Sequence, residues 1–264
     1  MPAASARRPR SYDPVKTRAA VLAQAAHVAE AVRALRPDQL GAPSGLGDWS
    51  VAELVAHLAT GVDGLRAGLV DPAPAAAEVA LLDWAAGTGS RAEANARAAR
   101  AAAEGQDPVE RYTQATAEFA RLLADVPLDR VIAARAGAMT FTDFLVTRAV
   151  ELVVHSDDLR RATGVDIPLD RQALAAVVRV LADALAARAP GGSVEVRVPP
   201  YAVVQCVAGP RHTRGTPPNV VETDPLTWVR LAAGRTGWAE AVDGGHLTAG
   251  GERADISALL PVLS

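Results

Sequence analysis

Arg148-Ala-Val-Glu-Leu-Val-Val-His-Ser-Asp-Asp-Leu159 carries two functional side chains inside a helical apolar run without glycine or proline. The run extends to a predicted helix over about 142–162. Glu151 and His155 are four residues apart, so on a helix they share one face within roughly 6 Å, close enough to hold one metal ion. A carboxylate among Val150, Leu152 and Val153, if buried, is costly unless a cation or hydrogen bonds compensate it. A second reading stays open on spacing alone: Phe144, Arg148, Glu151, His155 and Asp158 would also make a solvated stripe with an Arg148–Glu151 ion pair.

A third ligand is available upstream, in Gly47-Asp-Trp-Ser-Val-Ala-Glu-Leu-Val-Ala-His57. Ser50 and Glu53 form a Ser-x-x-Glu capping box that opens a helix running to about residue 69, and His57 sits two turns into it. Two histidines and one carboxylate leave coordination positions free for water, a thiolate or substrate. Trp49, just before the cap, is placed as a hydrophobic staple. Asp158 is either an acceptor for the imidazole N–H of a ligand histidine or an exposed helix carboxylate.

Outward from these segments, Asp13-Pro14 caps a first helix with apolar residues at helical spacing, which Pro37 is expected to end. An alanine-rich helix is predicted over about 90–103, and Asp107-Pro108 caps another that runs to about 124. This is the pattern of an up-and-down helical bundle with one long crossover. After Gly164 one more helix, about 171–187, leads into strands at 194–198, 201–207 and 219–223. A helix capped by Asp224-Pro225, a strand at 246–249 and a terminal helix from Asp255 complete an α+β domain. The expected division is a flexible N-terminus over 1–13, a helical bundle over 14–165 and an α+β domain over 166–264.

Composition narrows the function. The formal net charge of −3 gives no general attraction to nucleic acid or to an acidic membrane surface. Alanine-rich stretches are broken by Arg, Glu and Asp, so no run of membrane-spanning length exists and no stable membrane association is expected. Arg7, Arg8 and Arg10 superficially suggest an export signal, but no uninterrupted apolar segment follows them. The single cysteine, Cys206, lies in an apolar stretch, reads as core and excludes an internal disulfide, which fits a reducing cytoplasm. His27, His212 and His246 have no partner at ligand spacing and read as structural or surface residues.

The segments 47–57 and 148–159 resemble the two signature segments of the mycothiol-dependent maleylpyruvate isomerase family, within the DinB-like metal-binding bundles. The stretches 215–231 and 250–257 resemble the sterol-carrier-like domain often fused to that bundle. The resemblance implies an N-terminal all-α DinB-like four-helix bundle, a C-terminal α+β sterol-carrier-like domain, and zinc or another divalent metal held by His57, Glu151 and His155. It further implies mycothiol as thiol cosubstrate and a small acidic or electrophilic substrate, in a cytoplasmic monomer or homodimer.

In a maleylpyruvate-type isomerisation the thiolate adds to a conjugated cis double bond, the resulting single bond rotates, and elimination gives the trans isomer. In an S-transferase the adduct is released. The family's second domain can lend an arginine to substrate carboxylates; the resemblance assigns that role to Arg230, with Arg211 and Arg235 as competitors. The competing expectation is a sterol-carrier-like protein that binds a lipid or small apolar ligand and keeps a vestigial metal site.

Overall fold

The helix that carries Glu151 and His155 is fixed at both ends by local chemistry. Thr140 Oγ1 accepts the Asp143 amide at 3.1 Å, and Gly164 closes the other end in left-handed backbone (φ 73°), donating to the Arg160 carbonyl. In the computed structural model, which describes residues 10–210 and 217–263, this helix is α7, Phe141–Thr163. It is buried along most of its length, from Phe141 and Phe144 to Asp158 and Leu159.

Three other long helices join it in the larger of two units, Tyr12–Trp84 with Ser90–Ala176. Asp13 caps α1, Pro14–Arg33; the Ser50–Glu53 box caps α3, Val51–Gly68; Asp107 caps α6, Pro108–Asp125. A one-turn helix α2, Pro37–Leu40, precedes α3, while α4, Leu81–Ala86, and α5, Ala92–Ala103, lie between α3 and α6. A hairpin of β1, Val131–Ala134, and β2, Gly137–Thr140, joins α6 to α7.

Each of α1 and α3 packs on both α6 and α7, and α5 lies on α3. The long helices α1 and α3, successive but for the one-turn α2, therefore occupy opposite corners, as do α6 and α7, so the bundle has two diagonal connections where one long crossover was expected. The hairpin and the 34–50 connection are long enough to cross the bundle. Fully buried Gln24 ties α1 to α7 by donating to Ser156 Oγ at 2.9 Å. Its own oxygen accepts the Asp170 amide at 2.7 Å.

Pro37 does not end the first helix, which stops at Arg33. Pro37 opens α2 instead, because proline suits the first helical position and holds Arg36 extended (ψ 157°).

The unit boundary falls within α8, Arg171–Arg188. In the smaller unit the sheet has the order β4-β3-β5-β6, from β3 Val194–Val198, β4 Ala202–Cys206, β5 Val220–Thr223 and β6 Leu247–Gly250. The β3–β5 pair is parallel and the other two are antiparallel. Val194, Val196 and Val198 alternate inward, as a strand with one buried face requires. Two helices lie between β5 and β6 in the chain: α9, Pro225–Ala232, whose Trp228 is fully buried, and α10, Trp238–Asp243.

The terminal helix expected from Asp255 reduces to a single 3-10 turn over Ser257–Leu259. Asp255 still caps the Ser257 amide at 2.9 Å, but Pro261 has no N–H with which to continue. Arg10 pairs with Asp183 at 2.8 Å; Arg7, Arg8, Arg211, His212 and residues 215–216 lie outside the described residues. Among the described residues no helix is long and apolar enough to cross a membrane.

Candidate metal centre

Packing of α3 against α7 brings His57 to the Glu151–His155 face. His57 Nε2 lies 3.1 Å and His155 Nε2 3.4 Å from the same oxygen, Glu151 Oε2. The two imidazole rings stand edge to face at 5.1 Å, and all three ligand atoms fall within 4.8 Å of one another. Ligands of a tetrahedral zinc at about 2.0–2.1 Å stand roughly 3.3 Å apart, so the donor set and its spacing fit a divalent ion.

The surroundings orient these donors. Asp158, 3% exposed, sets its Oδ2 2.9 Å from His155 Nδ1, so Nδ1 carries the donated proton and Nε2 is the nitrogen turned toward Glu151 and His57, able to offer a lone pair where a cation takes the place of its proton. Trp49 packs its ring edge on His57 at 5.2 Å, which places it against the imidazole itself. Burial works against the His155 imidazolium, but the Asp158 and Glu151 carboxylates outweigh it and push this histidine up to about 9. Burial likewise opposes the Glu151 carboxylate, yet the hydrogen bonds from His155 and His57 hold it well below the usual range. These carboxylates and imidazoles lean on one another in a way that a bound cation would satisfy outright.

The solvated-stripe alternative does not survive. Phe144, His155 and Asp158 are buried, and Arg148 Nη1 donates to the Gly61 carbonyl at 3.0 Å with its guanidinium over the Phe144 ring at 5.4 Å. Burial lowers the pKa of that guanidinium and Glu151 partly restores it. With His57, Gly61 and Glu151, Arg148 lines a small cleft open to solvent. Sequence reasoning misses its place there. The available signal is the spacing: Gly61 follows His57 by one turn, and Arg148 precedes Glu151 by one turn.

Other candidates fall elsewhere. Arg230 lies in the last turn of α9, in the smaller unit, where its carbonyl accepts the Arg235 amide at 2.7 Å. Cys206 is fully buried on β4, and burial pushes its thiol up to about 11, as suits a core residue and not a nucleophile. His27 Nδ1 contacts the Pro168 carbonyl at 3.0 Å, and His246 is exposed.

No curated protein sequence matches the chain. Residues 170–262 match the family described as "Bacterial SCP ortholog". Among solved structures, the crystal structure of the mycothiol-dependent maleylpyruvate isomerase is similar at TM-score 0.59 and 18% identity, over 93% of this chain and 95% of that one. A histidine-to-alanine mutant of that isomerase is similar at TM-score 0.59 and 17% identity, with the same coverage. At these identities the likeness establishes the fold: a DinB-like helical domain followed by a sterol-carrier-like α+β domain. Residues 21–160, more than half of the chain, match the model of the family described as "Mycothiol maleylpyruvate isomerase N-terminal domain", and to that family the chain belongs.

Proposed function

We propose that this protein is a metal-dependent enzyme that uses a low-molecular-weight thiol of the mycothiol type to isomerise, or to transfer sulfur to, a small acidic electrophile. The observation that carries this reading is the convergence of His57 Nε2 and His155 Nε2 on Glu151 Oε2, with Asp158 on the far nitrogen of His155. Three protein ligands are the set that leaves a divalent ion open to an exogenous group. A zinc ion held by His57, Glu151 and His155 would supply the Lewis acidity that favours the thiolate form of a thiol at neutral pH.

The chain's own residues do the rest. His57 and His155 donate neutral nitrogens, Asp158 keeps the His155 proton on Nδ1, and Glu151 contributes a single negative charge. Trp49, against His57, limits the directions in which that ring can turn. Arg230 is the residue to which this reading gives the substrate carboxylate, and the cytoplasm is the compartment it implies.

Elemental analysis of protein purified without an affinity-tag metal step tests the reading. Stoichiometric zinc, or another divalent metal, is expected in the wild type and only a trace in Glu151→Ala. A wild type without any divalent metal overturns it.

A further inference from the structure

Gly61 and Arg148 face each other across α3 and α7, one helical turn from the facing pair His57 and Glu151. A Cβ at position 61 would stand 3.0 Å from Arg148 Nη1, so glycine is what leaves the guanidinium its place. Thr147 Oγ1 takes Nε at 3.2 Å, and the Gly61 carbonyl takes Nη1. Among the described residues nothing pairs with Nη2. Arginine is planar and always charged, so a guanidinium anchored at two nitrogens offers the third as a fixed donor to a planar anion.

The cleft that Arg148 shares with His57, Gly61 and Glu151 opens to solvent and has inner room for little more than a water-sized group, ≈ 10 Å³. Pockets that engulf a whole organic ligand run to about 300–1,000 Å³, so a ligand here would rest only its end at the mouth of the cleft. Its charge selects which end. A divalent ion and Arg148 together outweigh Glu151 and Asp158 by one positive charge, and Arg91 and Arg135 stand near enough for their charges to act on Arg148.

We infer that Arg148 is a ligand-binding residue whose Nη2 holds a carboxylate of a small organic acid beside the His57–Glu151–His155 cluster. The inference rests on the proposed function for what lies next to that carboxylate, and on the arginine's own surroundings for the contact. Besides the carboxylate given to Arg230, it has a second one read within the helical domain, by a residue one turn from a candidate metal ligand.

Calorimetric titration with succinate tests it, on wild type, Arg148→Met and Gly61→Ala, with the metal content of each measured. Succinate is expected to bind the wild type and to bind Arg148→Met at least about tenfold more weakly, the scale of a lost hydrogen bond to a charged group. Gly61→Ala keeps the arginine and favours the helix, so it folds; by displacing Nη1 it should weaken succinate while leaving metal content unchanged. A wild type that binds no succinate, or variants that both bind it as the wild type does, overturns the inference. Metal in the wild type with succinate binding indifferent to Arg148 leaves the proposed function standing without it. Succinate binding that needs Arg148 in a wild type lacking metal does the reverse.

Discussion

Asp158 Oδ2 and His155 Nδ1 lie 2.9 Å apart, while the other nitrogen of the same ring faces Glu151. One buried carboxylate thus decides which imidazole nitrogen is free to ligate. Removing it in Asp158→Ala should weaken metal binding about 10- to 100-fold, the usual cost of losing such a partner. Asp158→Asn retains an acceptor oxygen and should fall between. Competition against a chromophoric chelator measures both, and equal affinities in all three proteins would sink this account of Asp158.

Trp49 offers an optical handle on the same site. Its ring lies 5.2 Å from His57, so a quenching ion such as Cu2+ bound there should lower tryptophan emission. In Trp49→Phe most of that saturable response should vanish although the ion still binds. A response that survives in full would mean that the ion sits elsewhere.

Gln24 is a structural counterpart to these residues. Replacing it with Met preserves volume but strips the Asp170 amide of its acceptor and Ser156 Oγ of the bond it accepts. The expected loss is about 1–3 kcal/mol of stability, the cost of leaving buried polar groups unpaired. Urea denaturation should show a lower midpoint with an unchanged slope.

Cys206 sets an alkaline limit. Its thiol stays protonated in the folded protein up to about 11, whereas in the unfolded chain it ionises from near 9. Between these values the native state binds more protons, so stability falls as the pH rises through that window. Cys206→Ala should remove this part of the slope. At pH near 8 a thiol reagent should leave the native protein untouched and label one group in urea.

The elements that can be read from the sequence are those whose signals are local. The Ser50–Glu53 box, the Asp13, Asp107 and Asp224 caps and the four-residue step from Glu151 to His155 each act within a turn of helix, and each appears where expected. What escapes depends on contacts far away in the chain. The hairpin β1–β2 is four residues a side and is also held by Glu78 and Val79, both of which donate to the Ala138 carbonyl. Spacing pairs Arg148 with Glu151, but the carbonyl it finds belongs to Gly61 on another helix. The corner-to-corner order of the bundle is likewise invisible to periodicity, which reports the apolar face of a helix and not its neighbour.

His57 and Glu151 are 94 residues apart in the chain and 3.1 Å apart in space. An unfolded chain keeps the Glu151–His155 pair but loses His57, so a three-ligand ion belongs to the assembled bundle alone. Bound there, an ion would act as a removable crosslink between α3 and α7, closing a long loop much as a disulfide does. In a chain with one cysteine, that is a staple sulfur chemistry could not supply from within.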